Sequence, residues 1–237
     1  MSRTVGPLLA AMLAGCGGGD ERLGAGSGEW ARSGPVDGFG SSSVNGLRID
    51  DARVEFTDDS GRTLSARDLR QGMVVEVRGA SGTASRSARD VSSVQVVSEV
   101  RGPVESVLGS AALMVLGQVV VVPPGAHFEV GLTFEDIAPG DVLEIYGAPS
   151  GTGEVRATRI ERKEAGEAAF KLRGFMADLR SQARTFVIGQ AAISYERVAN
   201  TPAMRSGDFV RVRIEPARVR GRWMATQIER DRPPGEP

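Results

Sequence analysis

One cysteine, one histidine and two lysines stand in 237 residues, and aromatic side chains make up only 5% of them. With Cys16 alone there is no intramolecular disulfide, no Cys-x-x-Cys redox pair and no cysteine zinc site. With His127 alone, a metal site would have to be built from carboxylates, and a histidine base has one candidate. That candidate sits in "PPGAHFEV", directly after a turn, and reads as a loop residue. Gly-x-Ser-x-Gly, Gly-x-Gly-x-x-Gly and phosphate-loop patterns are all missing. No apolar run approaches the roughly 20 residues that a bilayer-spanning helix needs. No catalytic residue, metal ligand or cofactor is therefore expected, and the chain reads as non-enzymatic.

What is abundant points to strands and turns. The chain has 31 glycines and 12 prolines, and its apolar residues are mostly valines in short alternating runs, a pattern of half-buried strands joined by tight turns. The expected class is all-β with very little helix. The formal net charge is −1, too small for the whole molecule to steer a polyanion. Residues 170–237 nevertheless carry 13 basic against 7 acidic side chains, so the rest of the chain is correspondingly acidic. Of the 29 basic residues 27 are arginine, a bias that a GC-rich coding sequence produces without any anionic ligand.

The N-terminus has the layout of a secretory signal. Arg3 supplies the positive start, Val5 to Ala14 form a short apolar stretch, and Ala14-Gly15 lead into Cys16. Leu13-Ala14-Gly15-Cys16 resembles the bacterial lipoprotein box. That resemblance implies cleavage before Cys16 and its acylation, an anchor that two or more chains make stable. Gly17 rather than aspartate follows the cysteine, which by the same resemblance implies the outer membrane, periplasmic face. Residues 1–15 are then the signal and 16–35 a lipidated, Gly-rich flexible tether.

Downstream, one phrase occurs three times: "DLRQGMVVEVRG" (68–79), "DIAPGDVLEIYG" (136–147) and "AMRSGDFVRVRI" (203–214), with Gly72, Gly140 and Gly207 spaced by 68 and 67. A second phrase begins at Val44, Val115 and Val187, and a third places Gly38, Gly102 and Gly174. Three phrases in one order, three times over, mark tandem repeats. They predict small antiparallel β-barrels of the oligonucleotide/oligosaccharide-binding (OB) type over 36–98, 99–165 and 168–231, with a disordered tail at 232–237; an SH3-like barrel is the alternative. In the second repeat, strands are expected near 101–107, 113–122, 142–147 and 154–162. In "GDFVRVRI", Val210, Val212 and Ile214 should face inward, and Phe209, Arg211 and Arg213 outward. A lipoprotein signal followed by such units is similar to a bacterial family of uncharacterised lipoproteins, domain of unknown function 5666, whose pattern the second repeat carries most fully. The resemblance implies architecture and location, and no function.

Asp141 and Asp208 follow the turn glycines directly, where a carboxylate's expected job is to accept backbone hydrogen bonds. Two binding readings remain. One is a non-enzymatic protein-interaction or scaffolding module whose partners are envelope proteins. The other uses the interleaved basic and aromatic residues of the third repeat, Phe209, Arg211, Arg213, Arg220, Arg222 and Trp223, to hold an anionic glycan, a lipopolysaccharide or a lipid headgroup. Nucleic acid is not an expected partner at a periplasmic address, and the membrane is met only through the lipid anchor.

Overall fold

The computed structural model describes residues 29–38, 43–44, 47–48, 54–80, 91–149, 153–164, 166 and 169–233. Cys16, the signal over 1–15 and residues 17–28 of the expected tether lie outside them. Among the described residues the chain is all-β, with two single-turn 3-10 segments and no α-helix.

The second repeat shows the shared plan most fully. Its strands are β8 (Val100–Val107), β9 (Ala112–Val115), β10 (Gln118–Val121), β11 (His127–Phe128), β12 (Val142–Pro149) and β13 (Glu154–Lys163). Pairing runs β8-β9-β10-β13-β12 and returns to β8, which closes a five-stranded barrel; β10 and β13 run parallel and every other neighbour antiparallel. This is an OB-like arrangement. Alternation decides what fills it: Leu143 and Ile145 of β12 point inward and are fully buried. The expected single strand over 113–122 is instead a hairpin. Leu116 and Gly117 both adopt positive φ, 49° and 72°, and fold β9 onto β10 in the two-residue turn whose twist suits paired strands. A leucine in that conformation gives little warning in the sequence.

The third repeat follows with β14 (Phe170–Phe175), β15 (Ala177–Arg180), β16 (Thr185–Ile188), β17 (Ala191–Ser194), β18 (Phe209–Val219) and β19 (Arg222–Arg230). β14 and β15 are one strand interrupted at Met176, and the ladder closes through β16, β17, β19 and β18 back to β14, again with its third and fifth strands parallel. The first repeat comprises β1 (Glu29–Gly38), β2 (Ser43–Val44), β3 (Leu47–Arg48), β4 (Glu55–Asp58), β5 (Thr63–Leu64), β6 (Val74–Ala80) and β7 (Val91–Val97), ordered β3-β2-β1-β6-β7-β4-β5. β1 begins at Glu29, so residues 29–35, expected as tether, are strand: they pair with β6 in unbroken register from Glu29↔Ala80 to Pro35↔Val74. Glycine, proline and serine dominate the stretch around Trp30, so its composition carries no strand signal, and it is the pairing with β6 that makes it a strand.

The turn glycines behave as expected, with φ of 82° at Gly72, 97° at Gly140 and 95° at Gly207. Asp141 and Asp208 take the expected turn bonds, from the N–H groups of Ala138 (3.0 Å) and Arg205 (2.8 Å), and each also holds an arginine of the last strand, Arg162 or Arg230.

Repeats two and three are fused. β8 and β14, the first strands of the two barrels, lie side by side and antiparallel, with Leu172 opposite Val100 and Lys171 opposite Arg101. Gly102 and Gly174 are matching positions, so Val100 and Leu172 also match, and the pair straddles a local two-fold axis. The hairpins after β9 and β16 meet across the same axis: Gln118 donates to the Ile188 carbonyl (2.7 Å) and the Gln190 N–H donates to the Gly117 carbonyl (2.8 Å). A Cβ at Gly117 would lie 2.6 Å from the Ala191 nitrogen, so only glycine permits the approach. One continuous hydrophobic core fills both barrels. The contact has the isologous form of a symmetric dimer, built within one chain.

Candidate functional site

The fusion puts β13, β12, β8, β14, β18 and β19 into one continuous sheet, whose outer face is here called the saddle. Its side chains are charged because the alternation that sends leucine and valine into the barrels sends Arg101, Glu144, Glu161, Lys171, Arg173, Arg211 and Arg213 to the other face. Much of that face is covered. The first repeat sits on it: Tyr146 of β12 is buried in the first repeat's own core, and Thr158 Oγ1 donates to the Gly72 carbonyl at 2.6 Å.

Two ionic clusters hold the contact. In the first, Arg173, fully buried, reaches Glu76 of β6 (2.8 Å), Glu99 (3.0 Å) and Asp231 (2.8 Å), so one guanidinium ties together the first repeat, the junction before β8 and the end of the third repeat. Arg211 adds a second contact to Asp231 at 2.9 Å. Burial pushes the Glu99 carboxyl up to about 7 despite the pull of Arg173 and Lys171, and one of its oxygens has no partner. Asp231 is also disfavoured by burial, yet Arg173 and Arg211 hold it below the usual carboxylate range.

The second cluster crosses the barrel wall as a ladder. Arg101, Glu144 and Glu161 are direct cross-strand neighbours on β8, β12 and β13. Glu144 accepts from Ser98 and Arg101, both at 2.7 Å, and Lys163 bridges Glu144 (3.2 Å) to Glu161 (2.7 Å), which also holds Arg159 (2.6 Å). Burial works against the Glu144 charge, but Lys171, Arg101 and Lys163 outweigh it and bring the carboxyl down to about 2. Lys171 itself pairs with Asp59 of the first repeat.

Between this ladder and the β4–β5 hairpin of the first repeat, a cleft of about 1010 Å³ remains open. His127, expected in a loop, lies on β11 and lines this cleft. Among the described residues no group of three or more His, Cys, Asp or Glu is placed to hold a metal ion.

The residues singled out in the third repeat are not brought together. Phe209 is buried edge-on against Phe175 (ring centroids 5.0 Å), with the Arg173 guanidinium over its ring at 5.5 Å. Trp223 is buried edge-on against Phe170 (5.7 Å). Arg211 is committed to Asp231, and Arg213 donates to the Asp59 carbonyl at 3.3 Å. Of these six, only Arg220, in the β18–β19 turn, and Arg222, directly after it, are exposed. The saddle and its cleft were missed because alternation marks a strand's two faces without saying that a neighbouring repeat covers the polar one.

Residues 101–161 match the model of the domain of unknown function DUF5666. The DUF5666 segment covers the second barrel from Arg101 of β8 through Glu161 of β13, and it contains Arg101, Glu144, Arg159 and Glu161 of the ladder but not Ser98, Lys163 or Lys171. Phe209 through Trp223 lie beyond it. Among solved structures, drosophila Unr CSD456 is similar over 87% of this chain and 98% of its own, at 14% identity and a TM-score of 0.25. No curated protein matches the chain.

Proposed function

We propose that the chain is a non-enzymatic binding and scaffolding module of the bacterial cell envelope, anchored through a lipidated Cys16 at the periplasmic face of the outer membrane. One observation carries the scaffold part of this reading. Two charged side chains of the shared sheet, Lys171 and Arg173, are spent on fixing the three repeats to one another, with Arg173 at their meeting point. A scaffold needs that rigidity. The address rests on Leu13-Ala14-Gly15-Cys16 and on the likeness of residues 101–161 to DUF5666.

The competing reading, an anionic glycan or lipid headgroup held by the third repeat, keeps Arg220 and Arg222 of the four arginines assigned to it; Arg211 and Arg213 are already engaged. Photo-crosslinking in living cells from positions 220 and 222 separates the two. Discrete protein adducts are expected; lipid or glycan adducts, or none, would overturn the scaffold reading. Cys16→Ser should move the protein from the membrane to the soluble fraction, and retention in the membrane would refute the anchor.

A further inference from the structure

We infer that the cleft between the first and second repeats is a binding site for a short, uncharged oligosaccharide. This goes beyond the scaffold reading and does not depend on it. The cleft's volume of about 1010 Å³ lies at the upper end of what small-molecule sites enclose, and it lies at a domain junction, where such sites concentrate. It is separate from the exposed Arg220 and Arg222.

The lining decides the ligand class. Five basic and seven acidic side chains face the cleft, a near balance that offers a polyanion no net attraction and a polycation little. An apolar ligand would have to cover those charges without returning their hydrogen bonds, which is costly. A sugar hydroxyl donates and accepts at once, so a surface that alternates cation and carboxylate satisfies it from both sides.

The floor is also preorganised. Both oxygens of Glu144 and both of Glu161 are held by Ser98, Arg101, Lys163 and Arg159, so these two carboxylates do not have to be ordered when a ligand arrives. Across from the floor, exposed Thr63 of β5 and Asp68 supply further polar atoms from the first repeat. The ligand would therefore touch two repeats, and binding would draw on their fixed relative position.

The test is a glycan array carrying neutral and acidic oligosaccharides, probed with the full chain in detergent and followed by calorimetric titration of the hits at low and high salt. Binding to neutral glycans is expected, with affinity unchanged by salt. Thr63→Trp, which fills the cleft from an exposed position, should weaken binding about tenfold or more without lowering the melting temperature, and Lys163→Ala should weaken it comparably. Arg222→Ala should leave it unchanged. An array on which only acidic glycans bind, an array with no neutral hit, or binding that survives Thr63→Trp would each overturn the inference. None of those results touches the crosslinking outcome at positions 220 and 222, so the two readings fail separately.

Discussion

Replacing Glu99 by glutamine should stabilise the protein in mildly alkaline solution. Glu99 is fully buried at the junction of the three repeats, where Arg173 and Lys171 favour its charge, Asp231 and Glu76 oppose it, and burial outweighs them all. Its folded pKa, about 7, lies above the ordinary 4.5. An acid raised in this way binds its proton more tightly in the folded state, so its favourable contribution is complete below about 4.5 and is lost as the pH rises through about 7. At about 1.4 kcal/mol for each pH unit, the loss across that window is about 3 kcal/mol. Glutamine mimics the protonated acid, and Arg173 keeps Glu76 and Asp231 as partners. Urea denaturation at about pH 4.5 should therefore find the variant and the parent equally stable, and at about pH 8 should find the variant more stable by about 3 kcal/mol. A variant less stable than the parent at the higher pH would refute the reasoning, because it would make the Glu99–Arg173 pair net stabilising despite its burial.

The other carboxylate of the saddle should behave oppositely. Glu144, held at about 2, supplies stability above its ordinary 4.5 that fades as the pH falls through about 2; Glu144→Gln should cost about 3 kcal/mol at neutral pH and flatten the acid limb of the stability profile. Arg173→Met leaves three carboxylates without their shared cation, so a loss of about 3–5 kcal/mol in chemical denaturation is expected, and Glu99→Gln should recover part of it. Gly117→Val meets both a positive φ and the Ala191 backbone, and should cost about 1–3 kcal/mol or more while loosening hydrogen-exchange protection at the Gln190 amide. Trp223→Ala should act as a core truncation, costing about 3–5 kcal/mol in the melting transition, rather than as the loss of a surface contact.

Much of the architecture was legible because repetition and alternation are written locally. Val210, Val212 and Ile214 do face the barrel core, and Gly72, Gly140 and Gly207 do turn the chain with positive φ. What could not be read was the fate of the opposite face. Lys171 and Arg173 occur at the solvent phase of their strand, and nothing within that strand announces that Asp59 and Glu76 of the first repeat will meet them. The same blindness turned Phe209 and Trp223 into imagined stacking platforms: an aromatic residue beside arginines looks alike whether its ring meets a ligand or Phe175 and Phe170. The cleft was invisible for a related reason, since its walls come from residues about a hundred positions apart in the chain, and period and spacing carry no information at that range.

The two-fold contact between β8 and β14 confers a freedom that identical subunits never have. A homodimer must solve both halves of its interface with one set of residues, so any charge placed on one side is repeated on the other. Here the matching positions are occupied by Glu99 in one barrel and Lys171 in the other, opposite charges under one backbone geometry. Glu99 turns to Arg173 within the fused pair, whereas Lys171 turns outward to Asp59 of the first repeat. Covalent linkage has thus let a symmetric framework specialise its halves, one for internal cohesion and the other for recruiting a third unit.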